Sequence, residues 1–263
     1  MRGKVYLVGA GPGDPELLTV KALRLLNSAQ AVLHDELVAP EILRLINPGA
    51  QVHNVGKRCG GKQTTQEEIS FLMVALATAG QMVVRLKGGD PLIFGRAAEE
   101  IAALETAGIP YEIVPGITAA LGAASAAGIP LTHRGGASAL VLLTGHRAPG
   151  SGETDWAEFA RRGATLAIYM PGHQYGQVAR RLRNAGVGAE TPCAIVSRAT
   201  TAQQQMHLTT VGELPAAPRL AAPTLLMVGE AVAQARAEGC FPPGGMQRFV
   251  LDADRLHAQE LTS

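Results

Sequence analysis

Three short segments of the chain place glycine, and in two of them a carboxylate, at the ends of apolar runs: VGAGPGD (Val8–Asp14), GGDP (Gly88–Pro91) and PGIT (Pro115–Thr118). Glycine at such a place lets the backbone come close to a ligand, and in open α/β sheets ligands bind at the carboxyl ends of the strands. The first segment is nearly the G-x-G-x-x-G turn, in which bare amides at a helix N-terminus meet a pyrophosphate. Asp14 stands where the third glycine belongs, and its charge repels a pyrophosphate. Pro12 and Pro15 each remove an amide from the same turn. One such loop is ordinary turn chemistry. Three on one sheet edge, two of them carrying an Asp, describe close backbone approach and negative charge, suited to a cationic or amine-bearing ligand.

A second set of residues is basic: Lys57-Arg58, Arg85 and Lys87, Arg96, and His133-Arg134. The planar arginine fork pairs with carboxylates through two parallel hydrogen bonds, whereas a single arginine is more often a solvated surface residue. LIFGRAAEE stands apart, because Arg96 opens a helix beside three apolar residues with Glu99 three positions on, so both can face one cavity. Asp35 ends the run AVLHD, where a dinucleotide-binding fold puts the carboxylate that grips a ribose. The same carboxylate beside a partly buried lysine such as Lys57 can act as a general base. Spacing alone does not choose between the two.

The elements that must hold these residues alternate in the first half. VYLVG, AVLHD, QVHNVG, MVVRLKG and YEIVPG read as short strands with helices between them, which implies parallel pairing in a sheet covered on both faces. Thr65-x-x-Glu68 predicts a capping box, Pro40 a first helical residue, and Gly108 and Gly128 left-handed helix ends. The pattern breaks near GIPLTHRGGAS, after which ALVLLTG, TLAIYM, CAIVSRAT, QQMHLTT and TLLMVG read as a second set of strands. QQMHLTT alternates as an antiparallel strand does. These signs divide the chain into an N-terminal lobe over 1–130, a C-terminal lobe over 131–245 and an extension over 246–263, with a cleft between two α/β lobes.

Composition excludes several classes. The 263 residues are 47% hydrophobic, enough for one large or two modest cores. A net charge of +1 gives no field that would favour nucleic acid or an anionic membrane. No apolar run approaches the roughly 18 residues of a membrane span. With a strand from Val5, a signal peptide is not expected. Cys59, Cys193 and Cys240 form neither a disulfide framework nor a metal pattern, so a reducing cytoplasm and no metal are expected. Trp156, His146, His173, His207, Met206 and Cys193 read as packing or surface groups.

Taken together, VYLVGAGPGDPELLTVKAL, VVRLKGGDPLIFGRAAEE, VPGITAALGAASAAGIPLTHR and TLAIYM resemble the tetrapyrrole (corrin/porphyrin) methylases, in one order from about Val5 to Gly229. VGKR and PLTHR resemble the members of that family that act on uroporphyrinogen III. The resemblance implies a class III methyltransferase fold, S-adenosylmethionine as methyl donor, no metal, and a cytoplasmic homodimer. It implies cofactor contacts at Pro12, Gly88, Gly89, Asp90, Ile93, Thr118, Ala119, Met170 and Ala199. It places Arg96, Glu99 and Arg134 at the substrate, whose eight carboxylates suit arginine forks. It assigns Asp35 as proton acceptor and Lys57 as proton donor, in two methylations at carbons 2 and 7 that pass through precorrin-1 to precorrin-2. Siroheme, cobalamin and heme d1 all draw on that product.

The chain also departs from the family pattern. The usual YDRLV is HDELV here, so Glu36 stands for an arginine and His34 for a tyrosine, and GRGGEE is GRAAEE, which adds methyls at Ala97 and Ala98. Lys62 stands near where a histidine usually follows VGKR. Nothing resembles the dehydrogenase–chelatase module of multifunctional siroheme synthases, so a stand-alone methylase is expected. The rivals are a sister methylase acting on a later precorrin or on RNA, a nicotinamide dehydrogenase, and a non-catalytic tetrapyrrole binder. The dehydrogenase needs a glycine where Asp14 stands.

Overall fold

The computed structural model describes residues 2–56, 64–146, 156–160 and 163–235. Five parallel strands form the first sheet, in the order β3-β2-β4-β1-β5: β1 Val5–Gly9, β2 Ala31–His34, β3 Gln51–Asn54, β4 Val83–Lys87 and β5 Tyr111–Val114. Parallel pairing requires crossovers, and the intervening helices supply them. Helices α1 (Val20–Ser28) and α2 (Pro40–Leu43) put Ala22, Leu25, Leu26 and Ile42 on one face of the sheet, against Val8, Val32, Val84 and Leu86. Helices α3 (Gln66–Thr78) and α4 (Ala97–Thr106) put Ile69, Met73, Ala77 and Leu104 on the other, against Val5, Leu7, Leu33 and Val83. Covering both faces is what turns these strands into nearly continuous apolar runs.

The helix ends follow the local chemistry. Thr65 Oγ1 accepts from the Glu68 amide while the Glu68 carboxylate accepts from the Thr65 amide, a reciprocal cap of about 1 kcal/mol. Pro40 opens α2, and Gly108 and Gly128 adopt left-handed φ of 61° and 64° after α4 and α5 (Ala119–Ala127).

The second sheet runs β6-β7-β10-β8-β9: β6 Ala139–Thr144, β7 Ala164–Tyr169, β8 Pro192–Ser197, β9 Gln205–Thr210 and β10 Thr224–Val228. Among the described strands of this sheet only β6 and β7 pair in parallel; β10 lies antiparallel between β7 and β8, and β9 closes the edge antiparallel to β8. One face packs on α6 (Tyr175–Asn184) and Trp156. Arg181 lies 3.7 Å above the Trp156 ring. The other face, with Ala167, Ala194, Val196, Leu225 and Met227, packs on α5 through Ala120, Ala123, Ala124 and Ala127. Helix α5 thus follows the last strand of the first sheet in the chain and buries its side chains on the second. Alanine and glycine let its backbone come close to both. Among the described residues no helix is long and apolar enough to cross a membrane, and no group of acidic, cysteine or histidine side chains could hold a metal ion.

Candidate active site

The three glycine loops leave adjacent strands, β4, β1 and β5, and lock together backbone to backbone. Gly11 and Gly89 exchange amide hydrogen bonds of 3.1 and 2.8 Å. A Cβ on Gly9 would stand 2.5 Å from the Gly116 nitrogen, and one on Gly116 would stand 2.3 Å from the Gly89 oxygen. No side chain fits at these crossings. Gly89 itself has φ +68°, yet a Cβ there would meet nothing nearer than the Ala119 nitrogen at 3.6 Å. Its open face looks on the start of α5 and forms a backbone-walled cradle. Asp90 fastens the assembly. One carboxylate oxygen accepts from the Leu92 amide at 2.8 Å and the other from the Gly116 amide at 3.1 Å. Its charge is therefore held in place at the junction of two loops. Asp14 acts locally, accepting from the Glu16 amide at 2.9 Å.

The second sheet closes on these loops at its own strand ends. The Tyr169 hydroxyl lies 2.6 Å from Thr118 Oγ1 and accepts from the Ala120 amide at 3.0 Å, which satisfies the N-terminus of α5 in place of a capping side chain. The Tyr169 ring sits 5.0 Å from that of Phe94. Thr200 Oγ1 accepts from the Asp14 amide, and Pro12 presses on α5 where a Cβ on Gly122 would be 2.6 Å away. Among the described residues, five other than glycine have positive φ: Phe94, Arg96, Met170, Arg198 and Thr200. All lie in the loops after β4, β7 and β8. Each such conformation costs about 1–3 kcal/mol, and strain of this kind collects where a ligand is held.

Pro12, Gly88, Gly89, Asp90, Thr118, Ala119 and Ala199 thus come together, directly or through one neighbour. The Ala199 oxygen approaches Gly13, and Leu37 packs at Gly88. Ile93 donates its amide to the Asp90 carbonyl, and Met170 follows Tyr169 with about half its surface exposed. Arg96 and Glu99 do meet, but as a bidentate pair at 2.7 and 2.6 Å, both more than half exposed. Arg96 holds the Glu99 carboxyl below its ordinary range. Arg134 lies exposed on the turn closed by the His133–Ala137 bridge. Lys57 and Lys62 lie outside the described residues.

Asp35 follows β2 and donates its amide to the Leu86 carbonyl. Its cationic neighbour is Arg85, whose terminal nitrogen lies 2.5 Å from Asp35 Oδ1. Arg85 also donates through Nε to Glu100 at 3.0 Å, and the ammonium of Lys87 lies 3.0 Å from the same carboxylate. Arg85, Lys87 and Glu100 are all at most 2% exposed. Burial, then repulsion from Arg85, lowers the Lys87 pKa. Sequence reading missed Glu100 and Tyr169. The signal for Glu100 was present: Arg85 and Lys87 alternate with Val84 and Leu86 in a central strand, so both cations share one covered face and require a buried counter-ion there. Of the departures, His34 is buried and its Nδ1 lies 3.0 Å from the Asp35 carbonyl oxygen, while Glu36 accepts from Asn54 at 3.1 Å.

Three comparisons bear on this arrangement. The sequence model of the family described as Tetrapyrrole (Corrin/Porphyrin) Methylases matches residues 4–215. A siroheme synthase of Azotobacter vinelandii is 49% identical over 233 residues, which is 88% of this chain and 50% of that protein. The chain spans about half the length of the curated relatives it matches. Uroporphyrin-III C-methyl transferase from Thermus thermophilus, solved with S-adenyl homocysteine, superposes with TM-score 0.76 at 41% identity, covering 88% of this chain and 93% of that one. A cobalt precorrin-4 methyltransferase superposes with TM-score 0.78 at 32% identity, covering 87% and 95%. Likeness of fold alone does not separate these two; sequence identity favours the first.

Proposed function

Since the chain belongs to the tetrapyrrole (corrin/porphyrin) methylases, we propose that it transfers methyl groups from S-adenosylmethionine to carbons 2 and 7 of uroporphyrinogen III, giving precorrin-2 by way of precorrin-1. The observation that carries this reading is the interlocked glycine cradle at Gly9, Gly89 and Gly116, faced by Thr118 and Ala119, with the Tyr169 hydroxyl bonded to Thr118. The likeness to the Thermus enzyme solved with S-adenyl homocysteine supports it.

The residues present fit that cofactor. Gly88, Gly89 and Asp90 offer bare backbone and a fixed negative charge, and we assign the further cofactor contacts to Pro12, Ile93, Thr118, Ala119, Met170 and Ala199. When bound, S-adenosylmethionine supplies an electrophilic methyl on a sulfonium. The glycine loops and the start of α5 would hold and orient the cofactor against the substrate, and alignment of this kind is the main catalytic contribution. The pyrrole carbon that gains the methyl leaves positive charge on the macrocycle, and loss of a proton restores conjugation. Asp35 takes that proton and Lys57 donates one. Arg96, Glu99 and Arg134 hold the substrate, with Arg96 exchanging the Glu99 carboxylate for a substrate carboxylate of the same geometry.

Methyl-labelled S-adenosylmethionine tests the reaction directly. Under anaerobic conditions the label should move to the macrocycle; label that stays with the cofactor overturns the proposal. Tyr169→Phe should weaken S-adenosylhomocysteine binding about tenfold, because the Ala120 amide and Thr118 hydroxyl lose their partner. Calorimetric titration measures it. Arg96→Lys should raise KM for uroporphyrinogen III more than KM for the cofactor, since a point charge replaces the fork; equal changes in steady-state kinetics would remove Arg96 from the substrate. The proposal includes a cytoplasmic homodimer, supported by the family resemblance and by the large hydrophobics exposed at Val20, Phe71 and Leu208. Light scattering should give twice the chain mass.

A further inference from the structure

Beneath the first sheet lies a charged network whose buried members, Arg85, Lys87 and Glu100, the functional reading does not use. Arg85, in the central strand β4, is 2% exposed and sends its guanidinium in three directions. Nε donates to Glu100 of α4 at 3.0 Å, one terminal nitrogen donates to the Leu86 carbonyl at 3.3 Å, and the other reaches Asp35 Oδ1 at 2.5 Å. Glu100 has no exposed surface and also accepts from Gln66 of α3 at 3.1 Å and from Lys87 at 3.0 Å. Two cations and two carboxylates balance, which is the condition for holding such charges away from water.

The network is asymmetric in one respect. Arg85, Lys87 and Glu100 are closed off, whereas the Asp35 side chain is 30% exposed. Arg85 engages Oδ1, and Oδ2 has no hydrogen-bond partner among the described residues. A planar fork anchored at its inner end by Glu100 can hold a carboxylate in one orientation and leave its second oxygen outward; an ammonium on a flexible stem cannot.

We propose that Arg85, itself fixed by Glu100, is a positioning residue that aims the Asp35 carboxylate at the proton it accepts. This rests on the reading of Asp35 as proton acceptor. In the step concerned, the macrocycle carbon–hydrogen bond breaks, its electron pair returns to the conjugated ring, and the proton goes to the free Asp35 oxygen. Arg85 touches neither macrocycle nor cofactor.

The test uses the full chain carrying Arg85→Met, Asp35→Asn, or both. In Arg85→Met, kcat should fall about a hundredfold, the scale of an ångström-level misplacement. KM for uroporphyrinogen III should be unchanged, and S-adenosylhomocysteine should bind within about twofold of the unchanged protein by calorimetry. The double variant should be no slower than Asp35→Asn alone, since both changes act through one group. Losses that multiply, or a kcat unaltered by Arg85→Met, overturn the proposal while leaving Asp35 in its role. Full activity of Asp35→Asn overturns both. Arg85→Lys keeps the buried charge without the fork, and it decides by the same readouts if Arg85→Met does not fold.

Discussion

Asp35→Asn is expected to lower methyl transfer by about 10²–10⁴-fold, the range that general base catalysis contributes, while leaving S-adenosylhomocysteine affinity unchanged. Asparagine has the same shape and keeps a carbonyl oxygen for Arg85, so the buried network retains its partner at that corner. It cannot accept a proton. The cofactor loops leave β1, β4 and β5, whereas Asp35 follows β2 and belongs to a neighbouring loop, so its side chain can be changed without altering the glycine cradle. Single-turnover kinetics beside calorimetric titration measures the two effects apart. A joint loss of both would mean that Asp35 supports the fold of the site; no loss would return it to the ribose-type or structural roles that spacing also allows.

Gly116→Ala should be the most damaging small substitution in the cofactor region. Its Cβ would fall 2.3 Å from the Gly89 oxygen and 2.8 Å from the Gly9 Cα, both backbone atoms in loops that already hydrogen-bond to each other. Neither neighbour can swing aside as a side chain does, so the third loop must lift and the Gly116 amide must leave Asp90. Overpacking of this sort costs about 1–3 kcal/mol or more, with a fall in Tm of about 2–4 °C for each kcal/mol. S-adenosylhomocysteine affinity should fall at least about a hundredfold as the cradle opens. Gly172→Ala is the natural control. Gly172 has a positive φ of 69°, which Gly116 does not share, and no atom lies within 4 Å of its Cβ position. Thermal melting and titration of the two variants distinguish steric interlock from backbone strain alone.

Much of this was legible in the sequence, and for identifiable reasons. Parallel order follows from alternation, the ends of α3 and α5 from Thr65, Glu68 and Gly128, and the shared edge of the glycine loops from their places after strands. Other features had no local signature. Helix α5 is almost all alanine and glycine, so its composition does not say which sheet it covers. That β10 sits between β7 and β8 is a tertiary choice that alternation does not encode. The spacing of Arg96 and Glu99 put both on one helix face, but it did not say that they would bond to each other or lie exposed, because an i, i+3 pair forms equally well in water. Tyr169 read as the end of a strand; only the approach of α5 gives its hydroxyl two partners.

The most direct test of the central claim is anaerobic incubation of the purified chain with S-adenosylmethionine and uroporphyrinogen III, followed by mass spectrometry of the macrocycle. The account predicts a gain of two methyl groups. An unmethylated macrocycle, from protein that still binds S-adenosylhomocysteine, would contradict the substrate assignment and direct attention to a later precorrin.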